Sequence, residues 1–252
     1  MKQPDTAATS HTEMPIAALE EELKIAATIL EWEIGDIWGH VGVRLPDNGG
    51  IAVQMFRRAE REEKDWLMHF DYSLKKLSGV GTIPREAVIY TEIFKARSDV
   101  QAAVHCHASM CVALSLADTP IDWIHMQSSR FKGGTPIFPR PIYILDPSEG
   151  AELAKTLGSA SAMMIKGHGI VTVGSSIDEA CVNAVYMERT AKVLAVARLH
   201  GYKGPTRESF ETLSASREKL FRRPRDEMYH SAEWNYFADK IKKGERWNRG
   251  SL

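Results

Sequence analysis

The chain has 252 residues, 44% of them hydrophobic and 26% charged, with a formal net charge of −1. That length and balance describe a globular protein whose core can stand without disulfide or metal staples. The near-neutral charge excludes a bulk attraction to nucleic acid or to an anionic membrane, so an anionic small-molecule substrate must be held by local charges.

The three cysteines, Cys106, Cys111 and Cys181, form no C-x-x-C pair, and their odd number speaks against a disulfide framework. A reducing cytoplasm is the expected setting. The first residues, MKQPDTAATSHTEMP, lack an apolar signal-peptide core, and no run of about 18 apolar residues predicts a transmembrane helix.

In chain order, residues 1–14 read as a disordered leader. Pro15 then suits the first turn of a helix, and Ile16, Leu19, Leu23, Ala26 and Leu30 follow at spacings of three and four. DIWGHVGVR over 36–44 reads as a strand and the following PDNGG as a turn. The charge run RRAEREEKD at 57–65 predicts a solvated loop or helix face. A second helix is expected to open at Ile83-Pro-Arg-Glu86, with Tyr90, Ile93, Phe94 and Arg97 on one face.

Residues 100–107 alternate. Val100, Ala102, Val104 and Cys106 point one way, and Gln101, Ala103, His105 and His107 the other. A short helix at 109–117 and a Pro/Gly-rich loop at 132–141 come next. Asp146 and Ser148 are cap candidates for a helix ending near Gly158. Residues 162–165 and 170–173 read as strands around a tight turn. Ser176-Ile-Asp-Glu179 has the form of a capping box, opening a helix that runs to about His200 and stops at Gly201. The domain is expected to span 15–204. Residues 205–252 then form a polar helical tail that packs on the domain or on a neighbouring subunit, with anchors at Tyr229, Trp234, Tyr236, Phe237 and Trp247. There is no internal repeat and no low-complexity tract.

His105-Cys-His107 is the sharpest chemical feature. Two histidines at i and i+2 on a strand leave the same face and can reach one ion. By itself the pattern also describes two polar positions on a half-exposed strand, but the apolar flanks argue for burial, and buried imidazoles need partners. His168 stands between two glycines, which let a sharp turn present its ring at a strand end; a surface turn histidine is the alternative. Glu86 reads either as a helix-start carboxylate favoured by the dipole or as a fourth ligand able to act as a base. Gly79-Val-Gly81 lacks the rest of a nucleotide fingerprint, and there is no Walker motif, G-x-S-x-G or H-E-x-x-H.

The segments RSDVQAAVHCHASMCVALSLAD, IKGHGIVTVGSSIDEACVNAVYMERTAKV and WGHVGVRLPD resemble, in order, the two metal motifs and the N-terminal substrate loop of the class II aldolase/adducin superfamily. The resemblance covers roughly residues 15–200. It implies a single three-layer α/β/α domain with a central, mainly antiparallel sheet. It also implies a C4 homotetramer with active sites between subunits, and a divalent ion held by His105, His107 and His168. The ion is zinc or manganese, with magnesium, cobalt or iron as further choices. Glu86 stands 19 residues before His105, as the family's catalytic glutamate does, and is thereby expected as both ligand and acid/base.

Two departures qualify the likeness. Gly39-His40 replaces the Gly-Asn of sugar-phosphate aldolases, and Thr82-Ile-Pro-Arg-Glu86 lacks their small hydroxyl residues that bind phosphate. The chain is thus more similar to the superfamily's decarboxylases of hydroxylated aromatic or heteroaromatic acids. An aldolase of non-phosphorylated hydroxy-keto acids is the alternative, and an adducin-like protein without catalysis a third. Arg85 and Arg44 are candidate binders of a substrate carboxylate, and His40 and His125 further candidates for proton handling.

Overall fold

The computed structural model describes residues 14–56, 67–79, 82–221 and 227–245. The expected leader, the charge run, Trp247 and the side chain of Tyr229 lie outside the described residues.

The first helix, α1 (Ile16–Ile34), starts after Pro15 and ends where Gly35 turns left-handed with φ 79°. Three antiparallel strands and a short fourth follow: β1 (His40–Arg44), β2 (Ile51–Met55), β3 (Leu67–Phe70) and β4 (Lys76–Gly79). Helix α2 (Val88–Ala96) begins two residues later than Glu86, which sits in a preceding turn and not in the helix as expected. A proline at 84 leaves residue 83 extended and delays the helix. Strand β5 (Ala102–Cys106) and helix α3 (Ser109–Leu116) come next, then β6 (Ile137–Phe138) and α4 (Pro147–Leu157). Strands β7 (Ala162–Ile165) and β8 (Gly169–Gly174) form the expected hairpin, and the long helix α5 (Ile177–Leu199) follows. The C-terminal segment contributes α6 (Arg207–Phe221) and α7 (Glu227–Lys242).

Among the described residues the sheet has eight strands, ordered β4-β3-β2-β1-β5-β8-β7-β6. Every pairing is antiparallel except β6 with β7. The strand period of two splits the core into two layers. Ala102, Val104 and Cys106 face the helices α1, α3, α5 and α7, while Ala103, Val171 and Val173 face α2 and α4. Val100, expected with Ala102, packs on the α2 side because it precedes the regular strand.

Local caps follow the chemistry of their residues. Asp146 accepts from the backbone of Ser148 and Glu149 at the start of α4. At α5, Ser176 accepts from the Glu179 amide, but the Glu179 carboxylate reaches Ser175 and not Ser176, so only half of the expected box forms. Trp234, Phe237 and Ala238 bury α7 in the α1–α5 layer, whereas Tyr236 is exposed. Tyr186 of α5 donates a hydrogen bond to Glu233 of α7.

Candidate metal centre

The site forms where β1, β5 and the β7–β8 turn reach the same end of the sheet. His40 on β1 pairs with His105 on β5, which pairs in turn with Val171 on β8. His105 is fully buried. His107 leaves the strand two residues on, with its ring centroid 5.2 Å from that of His105. Gly167, with φ 65°, makes the turn that delivers His168, whose ring lies 5.0 Å from His105 and 5.2 Å from His107.

Each ring is fixed through Nδ1. His105 donates to the Ile170 carbonyl at 2.9 Å, His168 to the Ile142 carbonyl at 2.8 Å, and His107 to Asp36 Oδ2 at 2.9 Å. Those partners only accept, so Nδ1 carries the hydrogen and Nε2 keeps a lone pair. Asp36 holds His107 twice, since its Oδ2 also accepts the His107 backbone N–H.

Glu86 completes the group. Its Oε1 accepts from the Ile144 amide at 2.9 Å, while its Oε2 lies 3.3 Å from His105 Nε2 and 3.5 Å from His168 Nε2. One ligand atom from each of Glu86, His105, His107 and His168 lies within 4.8 Å of the others. The Nε2 atoms of His105 and His168 are buried without a hydrogen-bond partner. Lone pairs facing a carboxylate oxygen in a buried site repel unless a cation stands between them. Ligand atoms about 2.0–2.1 Å from a tetrahedral ion are roughly 3.4 Å apart. The two Nε2–Oε2 separations fit that spacing, so these residues suit a divalent ion.

The protonation states agree. Burial pushes the Glu86 carboxyl up, but the adjoining His105 and His168 outweigh it and hold it well below the usual carboxylate range. Burial pushes His105 down, so its ring is a neutral donor. Burial also raises Asp36, yet its bonds from His107 and Trp38 bring it down to about 2. His107 is opposed by burial but raised overall by Asp36.

His40 lies beside the four without joining them, its ring centroid 5.3 Å from that of His105. The Tyr90 hydroxyl donates to the His40 carbonyl at 2.8 Å and stands 2.6 Å from its Nδ1. Both contacts are satisfied only if Nδ1–H donates to the hydroxyl oxygen, which leaves Nε2 as an acceptor. Burial pushes His40 down to about 3, so at neutral pH it is no imidazolium acid. Gly42 makes the arrangement possible: a Cβ there would stand 2.6 Å from the Tyr90 ring.

The other candidates separate. Arg85 precedes Glu86 in the chain and is exposed. His125 opens a short 3₁₀ turn and lies outside the group, with its Nε2 3.4 Å from Thr190 Oγ1. Arg44 does not reach the site. It lies four residues from His40 along β1, roughly 13 Å away, and its Nη groups donate to Tyr72 Oη and to the carbonyls of Phe94, Arg97 and Val100. Asp36, Tyr90 and the backbone of Ile142 and Ile144 are the site-building groups that sequence reasoning missed. Asp36 and Tyr90 left a faint signal, polar groups bracketing apolar runs; a backbone carbonyl or amide leaves none.

Comparison with known proteins places these features in context. A model of the class II aldolase and adducin N-terminal domain matches residues 31–195. The chain is 28% identical over 191 residues to a 3,4-dihydroxyphthalate decarboxylase of Arthrobacter keyseri, covering 69% of this chain and 77% of that protein. It is 30% identical over 112 residues to an L-fuculose phosphate aldolase of Methanococcus vannielii, covering 43% and 58%. Among solved structures, L-fuculose 1-phosphate aldolase from Glaciozyma antarctica superposes with a TM-score of 0.76 over 98% of this chain and 97% of that one, at 24% identity. That likeness establishes the fold.

Proposed function

Since the chain belongs to the class II aldolase and adducin family, we propose that it is a divalent-metal-dependent carbon–carbon lyase that decarboxylates a hydroxylated aromatic or heteroaromatic carboxylic acid. The observation that carries the reading is the convergence of Glu86 with three imidazoles, two of which, His105 and His168, have buried Nε2 atoms without a hydrogen-bond partner. The similarity to a 3,4-dihydroxyphthalate decarboxylase, extending over 69% of the chain, supports the substrate class.

In this reading His105, His107 and His168 would hold the ion through Nε2, with Glu86 as the fourth donor in the absence of substrate and as acid/base in its presence. A bound ion supplies Lewis-acid withdrawal of electron density from a substrate oxygen. Glu86 Oε2 handles the proton, because Oε1 is held by the Ile144 amide. The ionised carboxylate takes the hydrogen of a substrate hydroxyl. The adjacent carboxylate then leaves as carbon dioxide, its bonding pair staying on the ring carbon, and Glu86 returns the proton to that carbon. The product leaves as the oxyanion and is reprotonated by solvent. Arg85, exposed beside Glu86, is suited to pair with the departing carboxylate. Neutral His40 is suited to accept a hydrogen bond from a second substrate hydroxyl.

Aldol cleavage of a non-phosphorylated hydroxy-keto acid is the second reading, favoured by the likeness to L-fuculose phosphate aldolase. It uses the same donors, whose completeness weighs against an adducin-like role without catalysis. No described helix is long and apolar enough to cross a membrane. A homotetramer with sites between subunits is part of the proposal, supported by exposed Val193, Val196 and Leu199 on α5.

The test is a panel of hydroxylated aromatic acids and hydroxy-keto acids, offered to protein loaded with zinc or manganese. Carbon dioxide from the aromatic acids is expected. Pyruvate or aldehyde release without carbon dioxide would replace the first reading by the second.

A further inference from the structure

Helix α3 starts just after His107, and both of its ends are tied by buried polar side chains that the lyase chemistry does not use. Ala108 stands at its N-cap and offers no side-chain oxygen. The cap comes instead from α5. Both oxygens of the Glu188 carboxylate accept from the Met110 amide at 3.2 Å, and Oε2 also accepts from the Cys111 amide at 3.2 Å. Glu188 is only 5% exposed. A buried carboxylate is costly unless it is hydrogen-bonded, and a local serine or aspartate at the N-cap would satisfy the helix without that cost. What the distant glutamate adds is location: it fixes the start of α3 against α5.

At the other end, fully buried Ser115 donates to the Val112 carbonyl at 2.7 Å and accepts the Gly167 N–H at 2.9 Å. Gly167 immediately precedes His168 in the β7–β8 turn. Lys166, on the other side of Gly167, pairs with both oxygens of Asp118, just past α3, at 2.7 Å. That pair is solvent-exposed, and exposed pairs contribute little. The weight therefore falls on the Ser115 hydroxyl. Helix α3 has eight residues, so roughly 12 Å of rigid helix joins the residue pair after one ligand to the turn that carries another. The rings of those two ligands, His107 and His168, lie 5.2 Å apart with 25° between their planes.

We propose that Ser115 and Glu188 are positioning residues of the metal centre, which hold α3 as a strut that sets the separation of His107 and His168. The inference rests on the metal site of the proposed function and adds the elements that fix its span. Donors held at a fixed span discriminate between ions by geometry, which raw affinity does not do.

The experiment uses full-length protein loaded with cobalt(II), whose visible absorption reports coordination geometry, and zinc affinity measured by competition with a chromogenic chelator. Ser115→Ala is expected to shift the cobalt bands and to weaken zinc binding roughly tenfold, as loss of an outer partner does. Glu188→Gln should act in the same direction. The double variant should lose little beyond the worse single one, because a strut freed at one end no longer spaces the ligands. Thr135→Ala is the control. Thr135, 2% exposed, likewise accepts a backbone N–H, that of Ile121 at 3.0 Å, and stands outside the group of four. That control should lower the unfolding temperature of the metal-free protein as Ser115→Ala does, with cobalt spectrum and zinc affinity at wild-type values. A wild-type spectrum and affinity in Ser115→Ala overturn the proposal, whether or not Glu188→Gln folds. Equal losses in Thr135→Ala overturn it too, by tying the effect to stability and not to span. Losses that multiply in the double variant, to roughly 100-fold, make the two clasps independent and overturn the strut. A wild type that binds neither ion removes the metal reading, and the strut with it. A wild type that binds both, matched by Ser115→Ala, removes the strut alone.

Discussion

The two ends of β1 hold polar groups in different conditions. At one end the Nη groups of Arg44 meet four acceptors, three of them carbonyls around the end of α2, while its Nε is buried without a partner and its guanidinium lies over the Phe94 ring at 5.0 Å. At the other end, beside His40, the Nε2 atoms of His105 and His168 are buried with no partner. Helix C-termini leave carbonyls unsatisfied, and an arginine there serves folding. An imidazole aimed at a carboxylate without a proton between them serves nothing until a cation arrives. A guanidinium whose Nη groups bind backbone carbonyls at one end, and imidazole Nε2 atoms turned toward a carboxylate at the other, separate the structural from the chemical part of a single strand.

The largest effects should fall at the histidine end. His105→Ala, His107→Ala and His168→Ala should each lower metal affinity by more than about 100-fold, since losing even an outer partner costs 10–100-fold. Metal content after dialysis measures this, and full retention in any variant would remove that histidine from the ligand set. Glu86→Gln separates holding from chemistry. Turnover should fall by about 100- to 10,000-fold while three imidazoles keep the ion, and near-normal turnover would end the proton-transfer role.

Asp36→Asn comes next, with metal affinity reduced roughly 10- to 100-fold through loss of the charge that orients His107. Asp36 also predicts a pH dependence. Its folded-state pKa, about 2, lies below its ordinary value of 3.8. The stability it contributes is therefore present in full above pH 4 and lost as the pH falls toward 2. About 2 kcal/mol is at stake, read as an acid-unfolding midpoint that differs between the metal-free wild type and the asparagine variant.

At the opposite end, Arg44→Met should lower stability by about 2 kcal/mol through unpaired carbonyls, with metal content unchanged. Loss of the ion in that variant would break the contrast between the two ends. The smallest effect is expected from Tyr90→Phe, which removes the hydroxyl that fixes the tautomer of His40. Turnover should drop roughly two- to tenfold with the ion retained.

The contrast also explains what could be read without coordinates. His105 and His107 were visible because a strand has a period of two, and His168 because glycines mark the turn that carries it. The hairpin of β7 and β8 and the start of α4 followed from turn and cap residues. Arg44 was misread because a charged residue at a strand end looks alike whether it meets a ligand or three carbonyls. Asp36 was missed because its partner lies 71 residues along the chain. The clasp on Glu86 and His168 comes from the backbone of residues 142 and 144, where side-chain identity carries no information. The first turn of α5 gave a mixed result: the serine cap formed, but the Glu179 carboxylate found a nearer hydroxyl at Ser175.

Cys106 stands between His105 and His107 in sequence, yet it is fully buried in the layer formed with α1 and α5. Burial pushes its thiol well above the ordinary range, so it stays protonated. The pleat of β5 thus works as an insulator: a sulfur one residue from each of two ligands is kept on the wrong side of the sheet. The centre is left with nitrogen and oxygen donors alone, which suit zinc or manganese and offer little to a thiophilic ion such as copper(I). Discrimination against copper(I) by this group of donors would in this respect be a property of strand geometry.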